Sequence, residues 1–103
     1  ATAIVESYID NADFDVATFA REMCMSRTLL FTKLKALTGQ TPNDFILSLR
    51  LKKATEKLIN DPNALIADIA FDYGFSNPSY FIRCFKNAYD ITPAAYRRKY
   101  TNA

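Results

Sequence analysis

Residues 16–49 and 66–100 are two versions of one pattern. The first reads Val16-Ala17-x-Phe19-Ala20, Met25-Ser26, Leu30, Leu34-Lys35 and Thr41-Pro42-x-x-Phe45; the second reads Ile66-Ala67-x-Ile69-Ala70, Phe75-Ser76, Phe81, Phe85-Lys86 and Thr92-Pro93-x-x-Tyr96. The offset is 50 residues up to the two serines and 51 from Leu30/Phe81 onward, so one extra residue sits near the start of the second copy's second helix. A repeat of this kind means two equivalent modules presenting two equivalent surfaces. A partner that fits such a chain is itself periodic, and duplex nucleic acid has that property.

Composition narrows the classes. A chain of 103 residues is of single-domain size, and with half its residues hydrophobic and 14% aromatic it can fill a core. Two glycines and four prolines leave regular structure dominant. No apolar run approaches the roughly 20 residues of a membrane helix and no signal peptide is visible, so the expectation is a soluble, cytoplasmic domain without membrane contact. There is no histidine, and Cys24 and Cys84 stand 60 residues apart without a CxxC. That removes zinc fingers, Cys–His nucleophiles and histidine acid–base chemistry; no enzyme activity, no cofactor and no metal is expected. The cysteines read as small buried apolar residues, with a redox pair as the alternative. The net charge of +2 conceals an asymmetry: residues 1–22 hold five acids and one base, the remainder twelve bases and six acids. A basic body behind an acidic leading segment fits a polyanion-binding surface away from the N-terminus, or ordinary solubilising charge.

Helical spacing runs almost throughout. Ile4, Tyr8 and Ile9 predict a short first helix. Asp15 caps a second with Val16, Phe19, Ala20 and Met23 on one face, and Ser26 caps a third with Leu30, Leu34 and Leu37 inward, closed by Gly39. Thr41-Pro42-Asn43-Asp44 combines an N-cap, a proline at the first position and a capping-box-like acid; the helix it opens should run to about Ile59, anchored by Phe45, Ile46, Leu49, Ala54 and Leu58. In the second copy Leu65–Tyr73 is helical, Gly74 ends it, Asn77-Pro78 opens a helix with Phe81, Phe85 and Ala88 inward, and Thr92-Pro93 starts a last one to about Lys99. The expected fold is all-α: seven helices and no strand. The division is subdomain one, residues 1–40 with its helix pair at 16–38, a linker helix at 41–59, and subdomain two, residues 60–103 with its pair at 66–89.

Each pair has the spacing of a helix-turn-helix, whose second helix enters the major groove, in a tandem, homeodomain-like arrangement. Gly74 supplies the positive φ of a sharp turn; Cys24, at the matching position, would hold it with strain. On a helical wheel Thr28, Thr32 and Lys35 point outward, flanked by Arg27 and Phe31, as do Ser79, Arg83 and Lys86, flanked by Asn77, Pro78 and Ile82. Arg83 is the best guanine reader, because arginine matches O6 and N7 bidentately. Ile82 suits a thymine methyl; Phe31 suits the same contact or the edge of the core. Candidates for phosphate contacts are Ser26, Lys33, Lys35, Ser76, Lys86 and Lys53. Lys52 and Lys53 read equally well as solvent-facing charge, and Arg50 as a structural residue paired with an acid of a neighbouring helix.

Ile66-Ala67-Asp68-Ile69-Ala70, Gly74-Phe75-Ser76, Ser79-Tyr80-Phe81, Arg83-Cys84-Phe85-Lys86 and Thr92-Pro93-Ala94-Ala95-Tyr96-Arg97 resemble the AraC/XylS family of transcription regulators, over essentially the whole chain. The first half, from Ser26-Arg27 to Thr41-Pro42, is most similar to C-terminal output domains of hybrid two-component regulators. The resemblance implies two helix-turn-helix units on a long helix, with recognition helices in successive major grooves of double-stranded DNA. It implies base contacts from the positions of Arg27, Thr28, Phe31 and Thr32, and of Asn77, Pro78, Ser79, Ile82 and Arg83. Further partners it implies are sensor, kinase or receiver domains of the same chain, RNA polymerase, and control of carbohydrate utilisation; a full-length hybrid sensor could be membrane-anchored. Two positions depart from the family: Thr32 stands where arginine is frequent and Asp90 where glycine is common. The second copy is therefore expected to give the more specific base contacts.

The chain begins without methionine, directly in a helix, which gives the expectation of a domain cut from a longer protein. Two other function classes stay open on the sequence: a helical protein–protein interaction module, recognised by an exposed apolar groove, and the DNA-binding part of a repair protein whose catalysis lies in another domain.

Overall fold

The computed structural model describes residues 1–11 and 13–101. Among them are seven α-helices and no strand: α1 (Thr2–Ser7), α2 (Val16–Glu22), α3 (Arg27–Thr38), α4 (Pro42–Asn60), α5 (Ile66–Asp72), α6 (Pro78–Tyr89) and α7 (Pro93–Thr101). The all-α expectation is met, with ends within about two residues of those read from the sequence.

Local chemistry sets the starts. The side chains of Asp15, Ser26, Thr41 and Asn77 accept from the backbone N–H of Thr18 (2.9 Å), Leu29 (3.1 Å), Asp44 (3.2 Å) and Tyr80 (2.7 Å), each satisfying a donor that an α-helix leaves orphaned. Thr92 does the same for Ala95 at 3.2 Å. Only half of a capping box forms at α4: among the described residues no bond runs back from the Asp44 carboxylate to the Thr41 N–H.

The repeat extends to the turns. Cys24 (φ 56°) and Gly74 (φ 88°) are left-handed at the first offset, Gly39 (φ 76°) and Asp90 (φ 67°) at the second. In both copies the N–H three residues past the helix reaches back across the turn, Met25 to the Ala20 carbonyl and Phe75 to the Ala70 carbonyl, each at 2.9 Å, the bond of a Schellman motif. The inserted residue lengthens the second turn, because α3 and α6 are both 12 residues long.

Two cores form, both on α4. Val5, Phe14, Phe19, Ala20, Leu30 and Leu34 pack with Phe45 and Ile46. Ile69, Ala70, Phe75, Phe81 and Phe85 pack with Leu51, Ala54 and Leu58. At 19 residues and 1.5 Å per residue α4 is about 28 Å long, and the molecule is 46 Å by 23 Å by 22 Å. Arg97 of α7 donates to three carbonyls, Ala64 (2.8 Å), Leu58 (3.1 Å) and Asp61 (3.2 Å), tying the last helix to the end of α4.

Four expectations are corrected. Leu37 is 83% exposed, and Ala88 at the matching position is exposed too. Their angular positions on the wheel match those of the buried residues, but α2 and α5 are each only seven residues long, so the last turns of the 12-residue helices project past the elements that could cover them. Cys24 is exposed, not buried, because its turn lies on the surface; Cys84 is half-buried. Arg50 is structural as read, but its partner is no acid: Nη2 donates to the Asn11 carbonyl at 2.6 Å.

Left-handed backbone at Cys24 carries a testable cost. An L-residue there loses about 1–2 kcal/mol to steric conflict, which glycine avoids while giving back about 0.4–1 kcal/mol of chain entropy. Cys24→Gly should therefore raise stability by about 0.5–1 kcal/mol in a urea titration; a loss would show that this turn is unstrained.

Candidate nucleic-acid interface

Helices α3 and α6 are each the second member of a helix–turn–helix pair, and each keeps one face free of the core. Arg27, Thr28, Phe31, Thr32 and Lys35 are exposed on α3, and Ser79, Ile82, Arg83 and Lys86 on α6. Asn77 is exposed at the cap and Pro78 is half-buried at the first position. With about 100° per residue, Thr28, Thr32 and Lys35 share a stripe opposite Leu30 and Leu34. Ser79, Arg83 and Lys86 share the matching stripe opposite Phe81 and Phe85. The correspondence at the offset of 51 is residue for residue: Thr28 with Ser79, Phe31 with Ile82, Thr32 with Arg83, Lys35 with Lys86.

Charge follows the same division. Helix α3 holds three bases and no acid, α6 two bases and no acid, whereas α5 holds Asp68 and Asp72 and no base. On the two free faces an anionic backbone would meet no carboxylate of the same helix, a property shared by α7, which holds Arg97, Arg98 and Lys99 and no acid.

The hydrogen bonds grade the candidates. Thr32 donates its hydroxyl to the Thr28 carbonyl at 3.0 Å, so its proton is used within the helix. The Asn77 side-chain oxygen is taken by the cap, which leaves its amide donors outward. The Ser26 oxygen is occupied in the same way. The Arg83 guanidinium lies 5.6 Å from the centre of the Tyr80 ring, a cation–π contact that limits its rotamers before any partner arrives. The neighbouring Cys84 thiol, through hydrogen bonding and then its charge, and burial after it, push the Tyr80 phenol above its ordinary pKa.

The proposed phosphate contacts are less uniform. Lys33 projects on the flank of α3 away from Thr28 and Thr32, and Lys35 folds back to the Gly39 carbonyl at 3.1 Å. Ser76 and Lys86 are exposed beside the second free face. Lys53 sits 3.4 Å from Glu6 and 3.9 Å from Glu56, with its charge balanced inside the domain.

Two features were missed in the sequence. The start of α4, Thr41-Pro42-Asn43, joins Arg27, Thr28 and Phe31 around an open cleft of about 510 Å³; the signal was the Thr-Pro start, read only as a cap. A second cleft of about 380 Å³ lies where the two cores meet, with Arg50, Asn43 and Asp44 facing Ser76 and Tyr80. Among the described residues no group of three or more Cys, Asp or Glu could hold a metal ion, and no helix is long and apolar enough to cross a membrane.

Comparison with known proteins gives a match of residues 19–99 to the model of a helix-turn-helix domain family. Over 101 residues the chain is 42% identical to Histidine kinase P4 of Formosa agariphila, covering 98% of this chain and 7% of the kinase. It spans 25% and 57% of the length of two curated transcription regulators that it also matches. Among solved structures, it is similar to the C-terminal domain of the two-component response regulator yesN from Fusobacterium nucleatum, at TM-score 0.84 and 29% identity over 92% of this chain and 91% of that one. It is also similar to the DNA-binding domain of the global transcriptional factor AdpA, solved in complex with a target DNA, at TM-score 0.82 and 27% identity over 96% and 91% of the two chains.

Proposed function

Since the chain belongs to the AraC-type helix-turn-helix domain family of transcription regulators, we propose that it reads an asymmetric DNA site with both recognition helices, α3 and α6, in successive major grooves. The observation that carries this reading is the pair of acid-free, exposed stripes at matching positions of α3 and α6. Two such helices on one face of a duplex stand about 34–36 Å apart, a span that a molecule 46 Å long accommodates. The subdomains are residues 1–40 and 60–103, with 41–59 as the linker. Arg27, Thr28, Phe31 and Thr32 face one half-site; Asn77, Pro78, Ser79, Ile82 and Arg83 face the other. Ser26, Lys35, Ser76 and Lys86 approach phosphates; Lys33 and Lys53 contribute less.

The same reading makes the domain the DNA-binding output of a longer sensor or regulator, as the histidine kinase and response-regulator similarities suggest. RNA polymerase and the sensor or receiver part of that chain are then its protein partners, and genes of carbohydrate use its targets. With a net charge of only +2, nonspecific binding is weak and falls steeply with salt.

Footprinting of the domain on genomic fragments in a salt series tests the reading. Protection over about two helical turns is expected; absence of any sequence preference would reject it. Arg83→Ala should then cost about 1–3 kcal/mol of binding and relax specificity at one base pair. Thr32→Ala should cost less, because its hydroxyl proton is already used. Equal losses on every sequence would remove both residues from base reading.

A further inference from the structure

Arg50 lies on α4 at the point where that helix passes from one core to the other: Phe45, Ile46 and Leu49 pack into the first, Leu47, Leu51 and Ala54 into the second. Its Nη2 donates to the Asn11 carbonyl, in the α1–α2 loop of the first half, at 2.6 Å. Its other edge faces the second half. A Cβ built on Gly74 would lie 2.8 Å from Arg50 Nε and 2.5 Å from the Ile9 carbonyl, so the α5–α6 turn rests directly on the guanidinium and on the first half's backbone. Nε is buried without a partner, and burial holds the Arg50 pKa below its ordinary value. A buried donor left without a partner costs free energy. The helices of the two halves otherwise pack chiefly on α4. Among the described residues, this contact brings the α1–α2 loop of the first half against the α5–α6 turn of the second.

We propose that Arg50 is a positioning residue for specificity: its guanidinium, braced between the Asn11 carbonyl and the Gly74 turn, fixes the angle between the two recognition helices and so the half-site separation that the domain accepts. The proposal rests on the tandem reading above, but it concerns the geometry of the free protein as well. Without the brace each half still folds on α4, and the second can swivel about that helix. Affinity for the best-spaced site falls little; discrimination between spacings falls much more, because simultaneous engagement ceases to depend on one rigid geometry.

The test uses Arg50→Met, which keeps the apolar stem and removes the planar donor. A duplex selected by the wild-type domain from randomised DNA is the probe, with base pairs inserted singly between its half-sites; each insertion moves the second half-site by about 3.4 Å and turns it by about 35°. Wild-type protein should lose on the order of 100-fold in affinity on a misphased site, and Arg50→Met only about tenfold. In parallel, residual dipolar couplings of the free protein should fit one alignment tensor for α3 and α6 in the wild type and two in the variant. Where the wild type is sensitive to spacing, an equal penalty in the variant overturns the proposal, and so does an unchanged single tensor in the variant. If the wild type itself ignores spacing, the tandem reading fails and the couplings alone decide the role of Arg50. Should Arg50→Met not fold, Arg50→Lys replaces it in both measurements, with an intermediate spacing penalty and weakened alignment coupling expected.

Discussion

Gly74→Ala is expected to lower stability by about 2–5 kcal/mol, far more than a single methyl group usually costs. Two independent penalties combine. At φ 88° an L-residue loses about 1–2 kcal/mol to its own backbone. The added Cβ would also stand 2.5 Å from the Ile9 carbonyl and 2.8 Å from Arg50 Nε. Overpacking of that kind costs about 1–3 kcal/mol, and the Ile9 carbonyl is backbone, which cannot swing aside as the end of a side chain would. Gly39→Ala is the internal control: φ is 76° there, but nothing lies within 4 Å of the built Cβ, so only the backbone penalty of about 1–2 kcal/mol applies. Urea titrations of both variants decide the matter. Equal losses at the two glycines would mean that the turn of the second half does not press on the first.

Cys24 sharpens this comparison. It occupies the position equivalent to Gly74, with φ 56°, yet the first turn is exposed to solvent and accepts a side chain. The same left-handed geometry is thus a tolerable strain in one copy and a steric requirement in the other. The repeat conceals that difference, because the two turns have the same local bonds and different surroundings.

This is the general boundary of what could be read from the residues. Signals acting within four residues were legible: the caps at Asp15, Ser26, Thr41 and Asn77, the glycine after α3, the one-residue insertion before α6. So was the division of α3 and α6 into a buried and a free face near their starts. Leu37 failed because periodicity gives an angle around the helix axis and no position along it. The partner of Arg50 was misread because a carbonyl 39 residues away has no side chain to announce it. Arg97 was quoted only as part of a family pattern, for the same reason: all three of its acceptors are backbone oxygens. The interface candidates were legible as residue types on a wheel; the hydrogen bond that occupies Thr32 and the ring that steadies Arg83 needed the three-dimensional structure.

Phe85→Ala should be among the most damaging truncations in the chain, at about 3–5 kcal/mol. Phe85 is fully buried, and its ring lies 5.8 Å from Phe81, 5.5 Å from Tyr96 and 4.7 Å from Tyr89, contacts that add about 0.5–1.5 kcal/mol each beyond burial. In the first copy the same position is Leu34, which is buried as well, so Phe85→Leu tests whether the copies are interchangeable. It preserves an apolar side chain but loses three ring contacts at once, and a cost of about 1–3 kcal/mol is expected, between wild type and Phe85→Ala. Because Leu51, Ala54 and Leu58 lie on the same helix as Phe45 and Ile46, weakening the second core also loosens the helix on which the first is built. Amide exchange should therefore quicken at Leu30 and Phe19 as well as in α6. Unchanged protection in the first half, with α6 exchanging freely, would mean that the two cores unfold separately and that α4 carries no cooperativity between them.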